Sequence, residues 1–317
     1  MQSTSLRTDD RLTCVLPDFI IIGAPKAGTT WLARCLRQHP GVFLPQNEIQ
    51  YWTNADDAVS AAYESHFAGA APGQIIGERS NSYLIRPDVA AKISRHLPAA
   101  KLLTLLRNPI DRAYSGYCMR LRNGQVTRDI DQFLDPERSR CPEILDNSLY
   151  GKHIKTYLAH FTRDRMHFVI FDDIEARPAE ALTELSAFLG IDPLTEQMLV
   201  TEKINSKEKL RFPPSLVRAM KRHRGLKALG GMVRETSLGR YLRKVLPRST
   251  SYPPLSDELR ARLAAYFRAD IDEASSIVGR DLRAWVADST VARARSAGPR
   301  RSPGMGDPPP SPPATPV

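Results

Sequence analysis

Phe19-Ile20-Ile21-Ile22-Gly23-Ala24-Pro25-Lys26-Ala27-Gly28-Thr29-Thr30-Trp31-Leu32 carries an apolar run into a glycine-bounded loop and then into helix-forming sequence. Four apolar residues without alternation predict a strand buried on both faces. Beyond the loop, Trp31, Leu32, Cys35 and Leu36 recur at helical spacing, and the helix is expected to stop near His39-Pro40-Gly41. A loop between a buried strand and a helix presents unpaired N–H groups and the positive end of the helix dipole, which together receive phosphate. Gly28 admits a close anion, Lys26 adds charge, and Thr29 and Thr30 add hydroxyl donors. A turn whose glycines serve geometry alone is the competing reading, and it leaves the lysine and the paired threonines without a reason.

Outward from this unit the alternation repeats. Ile75-Ile76 is a short strand candidate, and Lys101 to Leu106 a clear one. Pro109 suits a first helical turn, after which Ile110, Ala113, Tyr114, Tyr117, Cys118 and Leu121 share a face. A helix is expected through Tyr150, Ile154, Tyr157, Leu158 and Phe161, a strand over Met166 to Phe171, and a helix over Pro178 to Leu189 closed by Gly190. A long helix from Asp257 to Val278 ends at Gly279. Strands separated by helices imply an α/β fold with a parallel sheet covered on both sides. The expected organisation is a flexible lead-in over 1–16, one domain over 17–290 with a basic helical insertion at 212–250, and a disordered Pro/Arg-rich tail over 291–317.

The 317 residues carry a formal charge of +10, which favours an anionic partner without choosing among nucleotide, acidic glycan and nucleic acid. Cys14, Cys35, Cys118 and Cys141 form no CxxC pair, so reduced thiols in a cytoplasmic protein are expected, with neither a disulfide framework nor a metal site. The polar residues 1–12 do not read as a signal peptide, and the longest apolar run, Phe19 to Ile22, is too short to span a bilayer.

The glycine spacing of Gly23 and Gly28 matches a nucleotide-kinase loop, but Thr29 stands where such a loop has its lysine. The strand Lys101–Leu106 ends in Arg107 and not in an acidic residue that would hold magnesium. A second anion site is offered by Arg107 at that strand end with Ser115 in the following helix. Pairing of Arg107 with Asp111 is the alternative, and the residues alone leave the two open.

Pro25-Lys26-Ala27-Gly28-Thr29-Thr30-Trp31-Leu32 resembles the 5′-phosphosulfate loop of sulfotransferases that use 3′-phosphoadenosine 5′-phosphosulfate (PAPS), nearest to the heparan-sulfate and bacterial carbohydrate branch. Arg107-Asn108-Pro109-Ile110-Asp111-Arg112-Ala113-Tyr114-Ser115 matches the family's R-x-P-x-x-R-x-x-S, whose arginine and serine contact the 3′-phosphate. The resemblance covers roughly residues 17–286 and implies a P-loop-like fold, PAPS as donor, 3′,5′-adenosine diphosphate (PAP) as product, and no metal. Lys26, Ala27, Gly28, Thr29, Thr30, Trp31, Arg107 and Ser115 are then donor-binding residues.

Glu48-Ile49-Gln50-Tyr51-Trp52 resembles the segment whose glutamate is the family's proposed general base, which puts Glu48 in that role. Gln50 occupies a position that is histidine in many relatives, and it is expected to orient substrate. Gly77-Glu78-Arg79-Ser80-Asn81-Ser82-Tyr83 resembles E-K-[ST]-x-x-Y, with Arg79 replacing a lysine near the transferring sulfate. A salt bridge of Arg79 with Glu78 or another carboxylate is the alternative. Lys203 to Arg211 lies where relatives close over the adenosine, but it lacks their K-G-R signature, so Lys207 and Arg211 are carried only as candidates beside a solvated charge run.

The reading is an enzyme that sulfates a hydroxyl or amine of a glycan, glycolipid or small-molecule acceptor. An ATP-dependent phosphotransferase and a non-catalytic anion- or nucleic-acid-binding protein are the rivals, the latter disfavoured because no stacking row of aromatics interleaves the basic residues. The residues do not identify the acceptor or the oligomeric state.

Overall fold

A computed structural model describes residues 15–54, 58–200 and 251–287. Lys207, Arg211, the 212–250 insertion, the 291–317 tail and most of the lead-in lie outside the described residues. Five strands build the sheet: β1 (Phe19–Gly23), β2 (Val42–Phe43), β3 (Ile75–Arg79), β4 (Lys101–Leu106) and β5 (Met166–Ile170). Every pairing is parallel, in the spatial order β2-β3-β1-β4-β5.

All five residues of β1 are buried. Successive side chains of a strand face opposite ways, so both faces of the sheet are covered, as the unbroken apolar run predicts. Phe19, Ile20, Ile21 and Ile22 are each fully buried and stabilise the fold by about 1.5–3 kcal/mol apiece. A charge at Ile21 would remove that contribution and add an unpaired buried ion.

The helices are α1 (Thr29–Leu36), α2 (Ala61–Glu64), α3 (Pro87–His96), α4 (Pro109–Arg122), α5 (Asp131–Leu134), α6 (Glu143–Asp146), α7 (Tyr150–Leu158), α8 (Phe171–Ala176), α9 (Pro178–Leu189) and α10 (Asp257–Val278). The expected helix at Pro178–Leu189 has those bounds, and Gly190 closes it at φ 78°. Ser256 caps α10 by accepting from Leu259 N, and Gly279 ends it at φ 75°.

Two local expectations change, and two elements were not foreseen. The second strand candidate runs on from Ile75-Ile76 through Arg79, because pairing of Gly77, Glu78 and Arg79 with Phe19, Ile20 and Ile21 carries polar residues into the sheet. Gly77 makes this possible: a Cβ there would lie 2.3 Å from the Phe19 ring. The strand expected to include Phe171 stops at Ile170, and Phe171 opens α8. The two-residue β2 is too short for a periodic signal, and α3 offers only Val89, Ala90 and Ile93 as its buried stripe.

The topology fixes where a site can be. β3 lies on one side of β1 and β4 on the other, so sheet growth reverses at β1. A crevice forms outside the carboxyl ends of strands at such a switch point. The C-terminal segment clasps that edge from outside. Trp285 Nε1 donates to Asp172 Oδ2 at 2.6 Å, and Asn108 Nδ2 donates to Trp285 O at 3.1 Å. α10 itself caps α7, where Gly151 N and Lys152 N donate to the Asp270 carboxylate at 3.0 and 2.9 Å. No helix among the described residues is long and apolar enough to cross a membrane.

Candidate functional site

The loop after β1 takes the form of an anion nest. Lys26 (φ 73°) and Gly28 (φ 103°) adopt left-handed backbone, which turns neighbouring N–H groups toward one side. Gly28 also precedes the first turn of α1, and a Cβ at this position would meet the Phe171 ring at 3.2 Å. Among the described residues, the amides of Lys26, Gly28, Thr29 and Thr30 have no acceptor. They are the donors that a helix start leaves open, backed by the dipole of α1. Ala27 and Thr29 are buried and support the loop from within. Trp31 Nε1 donates to Val200 O at 2.8 Å, so its one polar group is already engaged by the protein.

At the tip of β4, Asn108 caps α4 by accepting from Ile110 N and Asp111 N. This aims Arg107 across the crevice, where Nη1 donates to Lys26 O at 3.3 Å. Its guanidinium lies over the Phe171 ring, 4.6 Å from the centroid. The alternative pairing with Asp111 does not form: Asp111 faces Arg260 at 3.4 Å. Ser115 sits half-buried on α4. One turn before it, Arg112 is fully buried and donates to Ser148 Oγ at 2.6 Å; burial pushes its pKa down to about 10.

These side chains share one electrostatic environment. Burial lowers the Lys26 pKa, and the nearby charges of Arg122, Arg107 and Arg112 lower it further. Among the described residues, Lys26, Arg107, Arg112 and Arg122 form no ion pair with a carboxylate. A unit anion 4 Å from one such cation gains about 4 kcal/mol at an effective dielectric of about 20. The arrangement therefore favours a ligand with more than one negative group.

The tip of β3 differs. Arg37 reaches from α1 to the following loop, donating to Leu44 O at 3.0 Å, Gln46 O at 3.1 Å and Pro45 O. Burial lowers its pKa to about 10, with smaller contributions from Arg79 and Arg34. Arg79 holds the same loop through Gln46 O at 3.3 Å, touches Thr30 Oγ1 of the β1 loop at 3.2 Å, and pairs with Glu48 Oε1 at 3.4 Å. Its Nε is buried without an acceptor among the described residues. Of the two pairings considered for Arg79, the one with Glu78 is absent. Glu78 points into the core, where it accepts from Tyr63 OH at 2.5 Å and Ser80 Oγ at 2.7 Å, and burial raises its pKa.

Glu48 is 28% exposed, accepts from Asn81 Nδ2 on Oε1 at 2.7 Å and from Gln50 Nε2 on Oε2 at 2.8 Å, and forms the ion pair with Arg79. Gln50, expected to orient substrate, is instead engaged at both ends of its amide, since its Oε1 accepts from Ser82 Oγ.

The structure thus gathers Lys26, Thr30, Arg107, Arg79 and Glu48 through direct contacts along one edge. It adds residues to which the motifs gave no role: Arg112, Phe171, Asn81 and Ser82. Of these, Arg112 had a cue as the second arginine of R-x-P-x-x-R-x-x-S, and Asn81 and Ser82 had one in their place at the tip of the strand that carries Arg79.

A sequence profile described as the sulfotransferase domain matches residues 16–216, a span that includes every one of these side chains. Heparan sulfate glucosamine 3-O-sulfotransferase 3B1 of Mus musculus is 31% identical over 196 residues, covering 59% of this chain and 48% of that protein. Bifunctional heparan sulfate N-deacetylase/N-sulfotransferase 1 of Caenorhabditis briggsae is 30% identical over 200 residues, covering 56% of this chain and 23% of that protein. The chain therefore spans about half, or less, of the length of these curated relatives. Among solved structures, a sulfotransferase from Alicyclobacillus acidocaldarius superposes with a TM-score of 0.61 at 24% identity, covering 85% of this chain and 98% of that one. That likeness is one of fold.

Proposed function

Because this chain belongs to the sulfotransferase domain family, we propose that it moves a sulfuryl group from PAPS to a hydroxyl or amine of a carbohydrate acceptor, leaving PAP. The carrying observation is the cluster of Lys26, Arg107, Arg112 and Arg122, without ion-pair carboxylates among the described residues, at the edge where Arg79 and Glu48 also meet. A donor with a phosphosulfate at one end and a 3′-phosphate at the other matches such a cluster in charge.

The residues present suit that donor. Lys26, Ala27, Gly28, Thr29, Thr30 and Trp31 belong to the loop that would hold the phosphosulfate, its open amides and the Lys26 ammonium supplying donors. Arg107 and Ser115 would hold the 3′-phosphate, with Lys207 and Arg211 as further candidates along the chain. The donor supplies an activated sulfur–oxygen bond.

Sulfuryl transfer needs little covalent help from a protein. Positioning, charge stabilisation and removal of one proton carry the rate. Glu48 takes the proton from the acceptor O–H or N–H as the acceptor bonds to sulfur and the bond to the phosphate oxygen breaks. Lys26 neutralises charge on the departing phosphate. Arg79, touching both Thr30 of the donor loop and Glu48, keeps the two halves in register.

Thermal-shift titration tests the donor. PAP should raise Tm in proportion to its occupancy, whereas ATP with magnesium should not match it. Equal stabilisation by ATP would favour a phosphotransferase, and no response to PAP would overturn this reading. For the acceptor, labelled sulfate from PAPS should pass to one or more of a panel of heparan-type oligosaccharides, amino sugars and glycolipids. Product formation undiminished in Glu48→Ala would remove the base assignment.

A further inference from the structure

The side chains around Glu48 form a closed network that does more than neutralise it. A carboxylate offers about four lone-pair positions. On Oε1, Asn81 Nδ2 at 2.7 Å occupies one, while Arg79 Nη1 faces the same oxygen at 3.4 Å as an ion pair. On Oε2, Gln50 Nε2 at 2.8 Å occupies one. The two amides, one on each oxygen, fix the carboxylate's orientation and leave Oε2 a position for an incoming proton.

The backbone makes this arrangement specific. Gln50 is left-handed at φ 55°, an uncommon and costly conformation outside glycine. It is held there by Gln50 N donating to Ser80 Oγ at 2.8 Å and by Thr53 Oγ1 donating to Gln50 O at 2.7 Å. Ser82 Oγ donates to Gln50 Oε1, which fixes the amide with its nitrogen toward Glu48. Ser80 in turn is anchored on the buried Glu78. Glu48 is thus wired through Gln50 and Ser80 to the core, and through Asn81 to the tip of β3. Among the described residues the side chains of Asn81, Gln50 and Ser82 bond none of Lys26, Arg107, Arg112 and Arg122, so they can be changed without removing a donor-loop contact.

Resting on the base role proposed above for Glu48, we infer that Asn81 is a positioning residue which, with Gln50 and Ser82, holds the Glu48 carboxylate in one orientation with an Oε2 lone pair open to the acceptor. Losing Asn81 frees Oε1 and lets the carboxylate rotate, so the proton is accepted from many orientations and few of them are productive. An effect of about 10- to 100-fold on kcat is expected from a misplacement of this kind.

The test is the isosteric Asn81→Asp, with Asn81→Ala as a second variant, measured in the full chain. The assay follows PAP release from PAPS, using the fastest acceptor of the panel above, or water itself as acceptor. The expected result is kcat down about 10- to 100-fold, with KM for PAPS, the Tm and the PAP-induced Tm shift as in the parent. Unchanged kcat, or a loss of kcat that tracks a lower Tm or weaker PAP binding, would overturn the inference. A double-mutant cycle separates it from the premise. In a Glu48→Gln background, Asn81→Asp should cost nothing more, and an additive loss would show that Asn81 acts elsewhere. If Glu48→Gln alone keeps parental kcat, the base role fails and the inference goes with it, whatever Asn81 does.

Discussion

The tips of β1 and β4 with the helix α4 bring together four cations that form no ion pair with a carboxylate among the described residues, whereas the tip of β3 brings Arg79, already closed into a network with Glu48, Asn81 and the Gln46 carbonyl. Both regions are polar and partly buried, and they touch through Arg79 and Thr30. Their electrostatics are opposite in kind. Uncompensated charge inside a protein is expensive and persists where a ligand can neutralise it. Compensated charge is held in place with or without a ligand. The contrast separates a receptor for an anion from groups whose geometry is set beforehand.

Substitutions can break or sharpen that contrast. Lys26→Ala should have the largest effect, lowering kcat/KM for PAPS by about a thousandfold and shrinking the PAP-induced Tm shift, because it removes a charge-assisted donor from the nest. Glu48→Gln should lower kcat by about a hundredfold or more and leave the PAP shift intact. If instead it abolishes PAP binding, the two regions are not separable. Arg107→Met should raise KM for PAPS by about 10- to 100-fold, the worth of a charge-assisted hydrogen bond. It should also reduce the discrimination between PAP and 5′-AMP in thermal shift, while equal loss against both would place Arg107 elsewhere on the nucleotide.

A smaller effect belongs to a region outside both. His167 on β5 stacks on Phe188 at 5.0 Å, and burial, helped by Arg163, pushes its pKa down to about 4 from 6.5. Between those values the unfolded chain binds the proton and the folded chain does not, so stability falls as pH drops from about 6.5 toward 4. His167→Phe should flatten that slope in thermal melts across the interval while leaving PAP binding alone.

The readable parts of this chain were those where one side chain reports on its own surroundings. An unbroken Phe19–Ile22 run can only be buried, and Gly28 and Gly190 stand where left-handed backbone is needed. The strand through Glu78 and Arg79 was not readable in that way. Its polar residues are admitted by pairing with β1, and Glu78 by Tyr63 and Ser80, partners that hydropathy does not contain. The same limit applies to Arg79, whose sequence neighbour Glu78 is not its ion-pair partner.

By itself the sequence determined an alternating α/β chain with a parallel sheet, a glycine-bounded anion loop at the first strand and an arginine at the tip of a later one, because burial and local backbone demands act residue by residue. Only the tertiary structure decided that Arg107 reaches Lys26 rather than Asp111, that Arg79 bridges Thr30 and Glu48, and that Asn81 and Gln50 hold the carboxylate. Hydrogen bonds and ion pairs act over a few ångströms in space, and it is the order β2-β3-β1-β4-β5 that brings residues distant in the chain within that reach.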